Sequence, residues 1–125
     1  MAQICTTIEQ SKKLQELGVT ADTADMFFPL GSSFPEVCDN EDNLQADCPA
    51  RSLGALIKLM PDTIILNDRS CCGLSILNIG VYYRLLTGLD IIQGYEEDNI
   101  FENCVRMIAW LVNHGYIQSN LNKND

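Results

Sequence analysis

The chain has 125 residues, 46% of them hydrophobic and 20% charged, enough for one hydrophobic core and too apolar for a segment disordered by composition. Seventeen acids against eight Lys and Arg leave a formal charge of −9, which opposes direct binding to a nucleic-acid backbone or an anionic membrane surface. No apolar run reaches the roughly 18 residues that a membrane helix needs.

Residues Met1 to Thr7 carry neither a basic segment nor an apolar one, so no secretory signal is expected, and the protein is expected to be soluble and cytoplasmic. Thr6 with Glu9, or Thr7 with Gln10, has the spacing of a capping box and opens a helix over about 7–17. Ile8, Leu14 and Leu17 form its apolar side, with Ser11 small enough for close packing. Gly18 followed by Val19 is its stop, because glycine takes the left-handed conformation and the next apolar residue folds back on the last turn. Met26-Phe27-Phe28, closed by Pro29, predicts a brief, exposed edge strand, the place in a sheet where proline is tolerated.

From about 31 to 49 the chain is polar and acidic, and a long loop is expected. Between Lys13 and Arg51 stand eight acids and no base, so the acidity belongs mainly to this region and the rest of the chain is close to neutral. Ser52 caps a second helix in which Leu53, Leu56, Ile57 and Met60 recur on one face, ended by Pro61. Thr63 to Leu66, Leu74 to Ile79, Val81 to Leu86 and Leu89 to Gln93 are short apolar or alternating runs between turns, which predicts an antiparallel meander, with a helix over 74–86 as the alternative. Asp98 caps a last helix with a wide stripe of Phe101, Cys104, Val105, Ile108, Leu111 and Val112; Glu96, Glu97, Asp98 and Glu102 sit at the positive end of its dipole. His114-Gly115-Tyr116 closes it, and the polar tail 118–125 should fray.

The fold class expected is α+β: a small antiparallel sheet of three or four strands covered on one face by three helices, in a single domain over 1–117. Its core should hold Ile8, Leu14, Leu17, Leu53, Leu56, Ile57, Met60, Phe101, Val105, Ile108 and Leu111, with Trp110 partly buried.

Two stretches resemble a known family. Ile4-Cys5-Thr6-Thr7-Ile8-Glu9-Gln10-Ser11-Lys12-Lys13-Leu14, running on to Thr23-Ala24-Asp25-Met26, resembles the start of small uncharacterised proteins of phages, prophages and mobile elements of gut Bacteroidetes. Pro49-Ala50-Arg51-Ser52-Leu53 through Leu59-Met60-Pro61 is similar to that family's next segment, which usually has tryptophan where Arg51 stands. The helix containing Trp110-Leu111 is also similar, whereas 62–95 has no counterpart. The resemblance implies a cytoplasmic protein of phage-like origin and supplies no activity.

The residues themselves point to no reaction. His114 is the single histidine and adjoins a helix-stopping glycine, where the dipole favours a cation. Cys38, Cys48, Cys71 and Cys72 lack the paired spacing of a zinc site, and Arg69 is the one cation near the Cys71-Cys72 pair. The acids of 36–47 lack the spacing of a calcium loop, and no phosphate-binding glycine loop or nucleophile elbow occurs. No cofactor and no metal are expected. The reading is a non-catalytic interaction or accessory module whose partner is another protein or a second copy, engaged through Met26, Phe27, Phe28, Glu36, Asp39, Glu41, Asp42 and Asp47. One alternative is an acidic mimic of nucleic acid that blocks a basic site on a host enzyme. Another is a thiol- or carboxylate-based enzyme.

Overall fold

The computed structural model describes residues 3–38, 48–88 and 90–117. Its three helices and two small antiparallel sheets make an α+β fold, with the strands divided between two sheets where one was expected. The described residues form two compact units, 3–59 and 60–117. No helix among them is long and apolar enough to cross a membrane.

In the first unit, helix α1 spans Ile8–Glu16. Thr7 accepts from the Gln10 amide while the Gln10 side chain accepts from the Thr7 amide, the expected capping box. At the other end Gly18, at φ 85°, lets its own N–H reach Gln15 O and the Val19 N–H reach Leu14 O, which satisfies carbonyls the helix leaves open. Ser11 does more than save space: it is fully buried, and its hydroxyl bonds to that of Thr6 at 2.8 Å.

Strands β1 (Met26–Phe28), β2 (Glu36–Val37) and β3 (Cys48–Ala50) form a sheet in the order β2-β1-β3. The edge position expected for β1 is corrected, since it is the central strand. Pro29 follows its last residue, so no ladder bond is lost there. The expected loop of 31–49 is also partly strand, because β2 and the start of β3 lie in it. Cys5, Met26, Phe28 and Ala50 make one buried cluster with Ile8 and Cys48 against it. Helix α2 (Leu53–Leu59) starts where expected, with Ser52 Oγ accepting from the Ala55 amide.

The second unit is the predicted meander followed by the predicted helix. Strands β4 (Thr63–Ile65), β5 (Cys71–Leu77), β6 (Gly80–Leu85) and β7 (Ile91–Tyr95) pair antiparallel in chain order, so the helical alternative for 74–86 is set aside. Helix α3 (Ile100–Asn113) lies against β6 and β7. Its cap is Asn99, one residue beyond the expected Asp98: the Asn99 side chain accepts from the Glu102 amide. Gly115, at φ 76°, closes the helix as Gly18 closes α1, with the Tyr116 N–H on Leu111 O. Of the expected core, Ile8, Leu53 and Ile57 are only half-buried; the other eight are buried.

Candidate functional site

The sequence pointed to Met26, Phe27 and Phe28 as an exposed apolar run. They are 8%, 6% and 7% exposed, so all three belong to the core and that expectation is corrected. Glu36 is exposed in β2, opposite Phe27. Asp39, Glu41, Asp42 and Asp47 lie outside the described residues.

Several of the reactive side chains are held in structural roles. His114 caps α3, its Nδ1 lies 2.9 Å from Trp110 O, and its ring packs against Trp110 and Tyr116. Burial pushes the Cys5 and Cys104 thiols up to about 11 and raises that of Cys72, which keeps them protonated near neutral pH. Cys38 and Cys48 belong to the first unit and Cys71 and Cys72 to the second, and Cys71 is exposed. Among the described residues no three His, Cys, Asp or Glu gather as metal ligands.

One polar centre in the first unit escaped the sequence reading. Arg51 is 1% exposed; its Nε donates to Thr23 Oγ1 at 2.9 Å, and its Nη2 donates to Thr20 O at 2.8 Å and to Thr23 Oγ1 at 2.7 Å. Burial lowers the guanidinium below its ordinary value, and Asp25 and Asp22 pull it partway back. Asp25 also accepts from the Ser52 amide at 2.8 Å and from the Ser52 hydroxyl, which fixes the start of α2. A cavity of about 410 Å3 beside it is lined by Asp22, Thr23, Asp25, Ser52, Lys58 and Leu59 among others. Because the Asp25 and Thr23 oxygens already accept from Ser52 and Arg51, this cluster reads as an internal brace.

The surface that stands out is in the second unit. Tyr83 meets Trp110 of α3 at 6.2 Å between ring centres, so the sheet face bearing Tyr83, its neighbour Val81 and its register partner Leu74 is the helix-covered one. The alternation of the strands puts Tyr82, Arg84, Gly73 and Cys71 on the opposite face. There the Tyr82 ring lies against Gly94, its hydroxyl donates to Glu96, and the Arg84 guanidinium sits 5.3 Å from the ring centre. That bond to Glu96 raises the phenol pKa. At one end of this face Ile65 is the register partner of Cys71, Leu86 lies over Gly73, and Ile91 is the partner of Arg84. Ile65, Leu86 and Ile91 are 63%, 58% and 51% exposed, and the neighbouring Ile92 is also exposed.

No sequence signal separated these aliphatics from core residues. The register shift between Tyr83 and Arg84 makes Ile92 an extra residue in β7, so Ile91 and Ile92 are both exposed where simple alternation would bury one. No family model, curated protein or solved structure matches the chain.

Proposed function

We propose that the chain is a non-catalytic protein–protein interaction module that works in the reducing cytoplasm. The observation that carries this reading is the exposed aliphatic group Ile65, Leu86 and Ile91 on the sheet face that α3 does not cover. Large apolar side chains grouped on one face lose unfavourable hydration when a partner covers them, at roughly 25 cal/mol per Å2 of apolar surface removed from water. The raised thiols and the structural placing of His114 favour binding over catalysis. The six free cysteines, one of them exposed, suit a compartment that keeps thiols reduced. The resemblance to proteins of mobile elements supports a partner in the host-cell cytoplasm.

The test is crosslinked capture from a lysate of the encoding cells, comparing the natural chain with Ile65→Lys/Leu86→Glu. Both positions are exposed, so the variant should melt within a few degrees of the natural chain. A discrete partner captured by the natural chain and lost by about tenfold or more in the variant is expected. Equal capture by both, or no discrete partner, overturns the reading.

A further inference from the structure

The described sheets have four edges, and three are poor templates for another strand. Strand β2 has two residues, β4 has three, and β3 has three of which Pro49 has no N–H to donate. Strand β7 differs: Ile91-Ile92-Gln93-Gly94-Tyr95 is five residues long, uncharged and free of proline, and among the described residues it pairs on one side only, with β6. An edge strand turns half of its N–H and C=O groups outward, where an extended chain is able to pair with them.

The charges around this edge decide what fits it. Asp90 precedes the strand and Glu96-Glu97-Asp98 follow it, four acids that outnumber the two cations beside them, Arg84 of β6 opposite Ile91 and Arg106 of α3, which interacts with Glu97. A second copy paired antiparallel about Gln93 would set Asp90 against Glu96 at both ends, with like charges directly opposed across the ladder. An incoming strand with Lys or Arg at those two positions reverses the sign of both contacts. At the Tyr95 end a cavity of about 410 Å3 is lined by Asn78, Ile79, Glu96, Glu97 and Asp98. The exposed Glu96, Glu97 and Asp98 carboxylates offer acceptors for the head of a basic side chain. At the other end Ile91 and Ile92 present apolar surface to the partner's side chains.

We infer that the β7 edge binds an extended apolar segment of another protein flanked by Lys or Arg, which is added as a fifth strand to this sheet. This rests on the interaction-module reading and specifies the partner's chemistry.

The probe is the capped heptapeptide Lys-Val-Thr-Val-Thr-Val-Arg, whose basic residues match the separation of Asp90 and Glu96, titrated into the 15N-labelled full chain and followed by amide shifts. The control is the same peptide with Glu at both ends. Saturable shifts centred on Ile91–Tyr95 are expected with the basic peptide. Affinity should fall about tenfold with the acidic peptide and in Glu97→Lys/Asp98→Lys, and should weaken as salt is raised. The two substituted side chains are exposed, and Asn103 binds the main chain of Glu97, so the spectrum of the variant should stay dispersed. Shifts equal for the two peptides, shifts centred elsewhere, or none up to millimolar peptide overturn the inference. Concentration-dependent shifts at Ile91–Tyr95 without peptide overturn it too, in favour of a second copy. Any of these with capture still lost in the Ile65→Lys/Leu86→Glu variant refutes the edge assignment alone; loss of the capture result refutes the module reading itself.

Discussion

No fully buried side chain among the described residues is larger than that of Arg51, and it is a cation. Its Nε and Nη2 are used by Thr23 and Thr20, while Nη1 is buried with no hydrogen-bond partner among the described residues. The main chain at this residue is also tied, since its N–H donates to Thr6 Oγ1 at 3.1 Å and its C=O accepts from the Thr6 N–H at 2.9 Å. Arg51 therefore joins the N-terminal segment to the turn before β1. Truncation to alanine leaves both a cavity and unpaired acceptors, and Arg51→Ala should cost about 3 kcal/mol. Arg51→Met refills much of the volume without a buried charge and should cost about 1 kcal/mol. Urea unfolding followed by far-UV circular dichroism measures both, and equal losses would show that the hydrogen bonds outweigh the packing. Local pattern does not mark this burial, because a basic residue directly before a helix cap ordinarily reads as solvated surface.

At the level of elements, the outer face of the second sheet is organised by Tyr82. A Cβ at Gly94 would stand 2.5 Å from Tyr82 Cδ1, and one at Gly80 would stand 2.6 Å from the main-chain oxygen of Tyr95. Gly94→Ala should thus destabilise by about 2 kcal/mol, and Tyr82→Leu should recover at least half of that in the double variant because the obstacle is a side chain. Gly80→Ala meets backbone and should not be rescued. A double-mutant cycle on denaturant midpoints reads these terms, and simple additivity at Gly94 would refute the contact. The helices and the meander were legible because capping pairs, glycine stops and strand alternation act within a few residues of sequence. The order of the first sheet was not: whether Met26-Phe27-Phe28 lies at the edge or the centre depends on Glu36–Val37 and Cys48–Ala50 closing on its two sides. The site was legible only as a class. A bulge in β7 and a leucine lying over Gly73 arise from register, which composition does not encode.

Over the whole molecule, one strongly shifted thiol sits in each unit, Cys5 in the first and Cys104 in the second. Burial raises each from 9.0 to about 11. Between those values the unfolded chain has released a proton that the folded chain retains, so rising pH favours unfolding. Each thiol removes about 1.4 kcal/mol of stability per pH unit in that window and has no effect below it. Melting temperature should decline from pH 9 upward, and Cys5→Ala and Cys104→Ala should each flatten that decline; an unchanged slope would show that other groups govern it.

The pairing of β4 to β7 strictly between sequence neighbours also sets the order in which the second unit is made. Each strand meets its partner soon after synthesis, with little loop-closure entropy to overcome. The face carrying Val81 and Tyr83 stays bare until the 14 residues of α3 have emerged from the ribosome. During that interval the nascent chain presents a bare apolar sheet face awaiting its own helix, and a second face with Ile65, Leu86 and Ile91 exposed even in the finished protein. Premature termination before α3 thus yields a sticky fragment, a substrate for chaperones and proteases rather than a smaller working protein.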